Sequence, residues 1–122
     1  MRTAILTTLC LTLGVIVAHA ADETPIRIGV LNDQNGYQSS ITGKGSVIAA
    51  QLAVEDFGAT VNGRKVEVLF ADHQNKPDIG SAVARKWFDV EGVDAIVDVP
   101  NSGVGLAVAG VARQANKALL LT

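Results

Sequence analysis

Val66-Glu67-Val68-Leu69-Phe70-Ala71-Asp72-His73-Gln74-Asn75-Lys76-Pro77-Asp78 is the stretch on which the fold turns. Its first five residues alternate around one charge and are rich in β-branched and aromatic side chains, which predicts a strand. Polar residues follow, and Pro77-Asp78 then opens a segment in which Ile79, Val83, Trp87 and Val90 recur at helical spacing. Proline is tolerated in a first helical turn because its missing N–H is one the helix cannot use, and Asp78 is expected to cap. Gly92 closes the helix, and the apolar run 93–99 reads as the next strand. Strand, helix and strand in this order imply parallel pairing through a right-handed crossover.

Working outward, the same alternation continues in both directions. Downstream, Val104, Val108, Val111 and Ala115 form a third helical stripe, with Ser102 as its expected cap, and 118–121 form a fourth strand. Upstream, Asn62-Gly63 supplies a turn, Val47, Ala50, Val54 and Phe57 lie on one helical face, and Ile26-Arg27-Ile28-Gly29-Val30-Leu31 is the first strand. The order β-α-β-α-β-α-β predicts an α/β fold with a doubly wound parallel sheet. Ile48 and Leu52 fall off the main stripe of the first helix, as a contact surface or as ordinary exposed apolar residues. The last strand ends at the end of the chain with nothing to cover it, so the expectation is that 21–122 is the first part of a larger protein.

The start of the chain has three zones: a basic Met1-Arg2, a mostly apolar run over 4–17, and Ala18-His19-Ala20. This is the pattern of a secretory signal peptide over residues 1–20, with cleavage expected after Ala20 and an extracytoplasmic destination. The apolar run is shorter than a bilayer span needs, and polar Ala21-Asp22-Glu23 follows it. Cys10 is the sole cysteine and lies in the leader, so the exported part must be held by its core, without disulfides, as in many bacterial periplasmic proteins. Ten Lys/Arg, one of them Arg2, stand against twelve Asp/Glu, with no basic run, which excludes nucleic acid as the expected partner.

In open parallel sheets ligands bind beyond the carboxyl ends of the strands, here residues 32–44, 72–76 and 98–105. Asp33, Asp72 and Asp98 fall at those ends and suggest either a magnesium-binding acidic set or turn capping. The Asp-x-Asp and Lys companions of phosphoryl chemistry are missing, which favours capping. Gly36 and Gly43-Lys44-Gly45 do not have the spacing of a phosphate loop, and no GxGxxG occurs. His73 has no His, Cys or Glu companions for a metal and is expected at the surface or facing a hinge. Ser39, Ser40, Ser46, Ser81 and Ser102 have no paired base to make a nucleophile, and Trp87 reads as core. Neither a cofactor nor catalysis is expected. Pro100-Asn101-Ser102-Gly103 is the informative constellation, because a helix start presents unpaired N–H groups and the positive end of the dipole to a carboxylate. Ser102 can add its hydroxyl to that site, or simply cap the helix.

Taken together the chain resembles the type I periplasmic binding proteins of ABC importers, the branched-chain amino-acid-binding group. The resemblance rests on the first strand straight after a leader and on the loop from Asn35-Gly36 to Gly43-Lys44-Gly45. It extends through Ala49-Ala50-Gln51-Leu52-Ala53-Val54-Glu55-Asp56, Val61-Asn62-Gly63-Arg64-Lys65-Val66-Glu67-Val68, Ala71-Asp72 with Pro77, and Val93-Asp94-Ala95-Ile96-Val97. It implies two α/β lobes enclosing a solute, of which this chain supplies part of the first, and delivery to an ABC permease. The family's carboxylate-holding loop carries over to Asn101, Ser102 and Gly103, and its pocket-lining loop to Tyr37, Gln38 and Ile41. The solute implied is a small carboxylate, either a branched-chain amino acid or an aromatic or other organic acid. Two departures stand out: Gly36-Tyr37 replaces the usual Gly-Pro, and Asp98 replaces the usual Gly. A ligand-sensing ectodomain of a membrane receptor, which shares the fold, is the alternative.

Overall fold

In the computed structural model, which describes residues 24–122, the first apolar run becomes β1 (Ile26–Asn32) and takes the centre of the sheet. The leader and its cleavage site lie outside the described residues. After β1 come α1 (Gly43–Asp56), β2 (Thr60–Val61), β3 (Arg64–Asp72), α2 (Pro77–Asp89), β4 (Ala95–Val97), α3 (Ser102–Ala115) and β5 (Ala118–Leu120). The sheet order is β2-β3-β1-β4-β5. β1 pairs in parallel with β3 from Ile26↔Val66 to Asn32↔Asp72, and with β4 from Ile28↔Ala95 to Val30↔Val97. β5 continues the parallel ladder from β4. The doubly wound α/β expectation is thus met.

The exception is β2, which pairs antiparallel with β3 through Thr60↔Lys65 and Val61↔Arg64. Asn62 and Gly63 between them both hold positive φ, 50° and 81°, the condition for a tight primed hairpin turn. The expected turn before the second long strand is therefore a complete small hairpin, and the sheet is mixed at that edge. The 93–99 strand is also shorter than expected: only Ala95–Val97 are in the ladder, although Val93 and Val99 are buried beside it.

Successive side chains of β1 point to opposite faces, and the helices divide accordingly. α2 and α3 cover one face together and build the core from Leu31, Ala84, Trp87, Phe88, Ile96 and Val108. Trp87 packs closely against β1 because residue 29 is glycine: a Cβ there would come within 2.4 Å of the indole Cζ3. Burial of each Leu, Ile, Val or Phe side chain in this core contributes roughly 1.5 to 3 kcal/mol. α1 lies on the other face, where Val47 is buried and Ala50 and Val54 are half-buried.

The helical stripes hold in their middles and fail at their ends. Phe57 and Val90 were expected to face the sheet, yet they are 72% and 76% exposed. Each is the C-cap residue of its helix, where the backbone is leaving the helical path and the periodicity no longer aims the side chain. Phe88, off the expected stripe, is buried instead. Asp78 lies inside the first turn of α2, and the N-cap position falls to Lys76, with Pro77 the first helical residue.

Candidate functional site

The connections leaving β1, β3 and β4 all emerge at one end of the sheet, and they part there: α1 goes to one face, α2 and α3 to the other. That divergence opens a crevice beyond the strand ends, the place where open α/β sheets bind ligands. The loops 33–42, 73–76 and 98–101 form it.

Their shape is set from below by two buried side chains at the end of β1. Asn32, fully buried, donates from its amide to the carbonyl of Gly43 at 3.1 Å and to Asp98 Oδ2 at 2.6 Å, and accepts a short hydrogen bond from Gln34. Asp98 itself sits in the left-handed region at φ 57°, a conformation Asp tolerates better than most residues, and its other oxygen accepts from Thr122. Asp33, also fully buried, accepts from the backbone N–H of Gly36 at 2.7 Å and of Gln38 at 2.9 Å, and from Asn75 Nδ2 at 2.6 Å. Burial pushes the Asp33 pKa up, but the hydrogen bonds from Gln38, Asn75, Gly36 and Asn35 outweigh it and hold the carboxyl below its usual value. Gly36 is required at this point, because a Cβ would lie 2.6 Å from both carboxylate oxygens. The glycine that suggested a phosphate loop thus wraps the chain around a carboxylate of its own.

His73 departs from expectation. It is fully buried, and its Nδ1 accepts the backbone N–H of Asn75 at 3.0 Å, which places the ring proton on Nε2, where it has no partner. Burial lowers its pKa against the pull of Asp33, Asp72 and Asp98. The resulting tight turn holds Gln74 and Asn75 at φ 52° and 55°.

The third loop carries the main correction. Asn101, not Ser102, is the N-cap of α3: its side-chain oxygen accepts the N–H of Val104 at 3.1 Å. Ser102 is the first helical residue, exposed, and its hydroxyl has no hydrogen-bond partner among the described residues. The N–H groups of Ser102 and Gly103 are likewise unpartnered among them. Asn101 and Ser102 are alike as capping types, and only the backbone decides between them: Asn101 is extended at ψ 115°, as a cap must be.

The expected site residues fall into two groups. Asn101, Ser102 and Gly103 lie together at the start of α3. Tyr37 lines a polar pocket of about 410 Å³ with Asp33, Asn35, Asp72, Gln74 and Asn75. The two groups meet at Asn75, which accepts from Asn101 Nδ2 at 3.3 Å. Gln38 is half-buried beneath this loop, with a buried side-chain oxygen that has no partner among the described residues, while Ile41 is 83% exposed at the loop's outer turn. Asn32 and Asn75 are organisers that the sequence did not single out, and His73, expected at the surface or facing a hinge, is a third. The available signal was Asp33 followed by glycine three residues on.

Chemically, the crevice offers hydrogen-bond donors and a helix dipole. The hydroxyls of Ser39, Ser46 and Ser81 are given to backbone carbonyls, and no group of three His, Cys, Asp or Glu side chains is placed to hold a metal among the described residues. A hollow lined wholly by apolar residues lies elsewhere, under α1.

Comparison with known proteins agrees with this fold. The family model of the periplasmic binding proteins matches residues 25–122. Among solved structures, a periplasmic binding protein from Burkholderia mallei is 40% identical, with a TM-score of 0.77 over 80% of this chain and 26% of that one. A branched-chain amino acid ABC transporter periplasmic ligand-binding protein from Burkholderia xenovorans LB400 is 43% identical, with a TM-score of 0.76 over 79% of this chain and 26% of that one. A solute-binding protein of an ABC transporter from Rhodopseudomonas palustris BisB5, solved with 3,4-dihydroxybenzoic acid, is 27% identical, with a TM-score of 0.70 over 80% of this chain and 26% of that one. No curated protein sequence matches. The chain therefore spans about a quarter of the length of these solved relatives. With its parallel sheet, its crevice at the strand ends and a family match over 98 residues, the chain belongs to the periplasmic binding protein family.

Proposed function

We propose that this chain is the N-terminal part of the solute-binding component of an ABC importer, exported by its leader to the periplasm. There it takes a small carboxylate-bearing solute for delivery to a membrane permease. The observation that carries the reading is the start of α3. Asn101 satisfies the Val104 N–H, so Ser102 Oγ and the N–H groups of Ser102 and Gly103 remain available, at the positive end of a helix dipole, to a carboxylate. No charged partner is needed for such a site. Tyr37 supplies an exposed aromatic surface on the neighbouring loop for the body of the solute. Relatives solved with 3,4-dihydroxybenzoic acid, with benzoate and with isoleucine fit a carboxylate as the common feature. Binding, rather than covalent chemistry, is the activity proposed.

The test is calorimetric titration of the full-length protein with L-leucine, L-isoleucine, benzoate and 3,4-dihydroxybenzoate. At least one is expected to bind, and Ser102→Ala to weaken that binding by about 1 to 3 kcal/mol through loss of a hydrogen bond to a charged group. Absence of heat with all four, or an unchanged Kd in the variant, overturns the assignment of the site.

A further inference from the structure

The unbroken hydrogen-bond path from Asp33 to the start of α3 has a direction, and that direction has a consequence. A carboxylate only accepts, so Asn75 must turn its Nδ2 toward Asp33 Oδ2, at 2.6 Å. Its Oδ1 then faces the opposite way and takes Asn101 Nδ2 at 3.3 Å. With its nitrogen engaged there, Asn101 presents its own Oδ1 to the N–H of Val104 at 3.1 Å. Reversing either amide would set oxygen against oxygen at one end and N–H against N–H at the other, and for Asn101 the second clash is also the loss of the Val104 cap. The same Asp33 carboxylate gathers the N–H groups of Gly36 and Gln38, the residues flanking Tyr37. His73 Nδ1 fixes the backbone of Asn75 from beneath.

We infer that Asp33 and Asn75 are positioning residues for solute binding: through the amide polarity they impose on Asn101, they keep the Ser102 hydroxyl free of capping duty, and they lock the Tyr37 loop to the same frame. This inference rests on the carboxylate reading of the α3 start given above. It adds that the two halves of the crevice are one unit, joined at Asn75. Neither Asp33 nor Asn75 need touch the solute. Without the Asn75 acceptor, Asn101 is free to rotate, the Val104 N–H loses its fixed partner, and the Ser102 hydroxyl becomes the nearest replacement cap. A hydroxyl drawn into capping is lost to the solute.

The experiment uses the full-length protein and Asn75→Gly, since Asn75 holds φ 55° and glycine accepts that backbone without strain. Whichever of L-leucine, L-isoleucine, benzoate and 3,4-dihydroxybenzoate binds the wild type is titrated into Asn75→Gly, Ser102→Ala and the double variant. Asn75→Gly is expected to weaken binding about tenfold. The double variant is expected to be no weaker than the worse single variant, because both changes remove the same Ser102 contact. Wild-type affinity in Asn75→Gly, or additive losses in the double variant, overturns the inference while leaving the carboxylate site standing. A solute-independent readout is the backbone amide resonance of Val104 and the side-chain amide resonances of Asn101. Asn75→Gly is expected to shift both, even if none of the four solutes binds and the carboxylate reading itself fails. Unshifted resonances overturn the path directly.

Discussion

On one face of the sheet α2 and α3 cross β1 and β4 and bury Trp87, Phe88, Val104, Val108 and Val111 almost completely. On the other, α1 lies alone, and of its apolar side chains only Val47 is buried. Between α1 and the strands runs an apolar hollow of about 390 Å³ lined by Ile26, Ile28, Ala50, Val54, Phe57 and Val97. The sequences of the helices explain the contrast. α2 and α3 place most of their large apolar residues on one side, with Leu106 of α3 the exposed exception, so one docking buries nearly all of them. In α1, Val47 and Val54 face inward while Ile48 and Leu52 are more than half exposed, so no single docking captures them all. The stability of these 99 described residues is therefore carried chiefly by the α2–α3 face, and the crevice loops are anchored to it through His73, Asn101 and the start of α3.

That comparison breaks most visibly at Trp87. Trp87→Ala is expected to cost about 3 to 5 kcal/mol in chemical denaturation, because it empties the centre of the packed face. A loss below 1 kcal/mol would mean the two faces are not so unequal. Gly80→Ala is next. A Cβ at position 80 would meet Val104 Cγ1 at 2.4 Å, where α2 crosses α3, so a loss of roughly 1 to 3 kcal/mol from overpacking is expected despite alanine's better helix propensity. The same substitution on α1 has the opposite sign: nothing lies within 4 Å of a Cβ at Gly45, and Gly45→Ala is expected to stabilise by about 0.5 to 1 kcal/mol. Equal effects at the two glycines would remove the distinction between the faces.

A smaller, pH-dependent difference sharpens it further. His73 packs beside α2, with its Cβ 3.7 Å from where a Gly80 Cβ would stand, and burial holds its pKa below the ordinary 6.5. The unfolded chain therefore binds the proton first. Stability is expected to be full above about pH 6.5, to fall as the pH drops from there to the lowered folded value, and to level off below it. Asp33 and Asp94, both lowered from 3.8, add a second loss only at more acid pH. Denaturation midpoints at pH 7.5 and 5.5 check this, and His73→Gln should flatten the upper step. An upper step that survives the substitution would assign it to another group.

The alternation of strands and helices was legible because it is written in periodicity, which depends on side-chain type alone. The strand β1 and the α3 stripe needed nothing more. Side-chain type could not say which of Asn101 and Ser102 caps α3, since both types do so well and a one-residue difference in backbone path decides. It could not place His73 either: a polar residue in a polar stretch reads as exposed, and only the packing of α2 against the strand ends buries it. The β2 hairpin, in contrast, is announced by Asn62-Gly63, but the two residues of β2 are too short a run to show any periodicity of their own. Phe57 and Val90 show the limit of the stripe itself, which stops predicting burial where the helix stops. Of the residues carried over from the family resemblance, the loop of Tyr37 and the start of α3 are linked through Asp33, Asn75 and Asn101, by contacts between loops about forty and about twenty-five residues apart in the chain, a proximity that side-chain type alone does not encode.

The carboxylate of Asp33, enclosed by Gly36, Gln38 and Asn75, has one more implication, for how such a protein changes over generations. The course of the Tyr37 loop is dictated from its underside, by a group that faces away from solvent, while Tyr37 and Ile41 on the upper side bear no part of that duty. Their identities are therefore interchangeable without redrawing the loop. A lineage built on this frame can vary those two exposed positions by ordinary point substitution while the foldable scaffold beneath them stays unaltered.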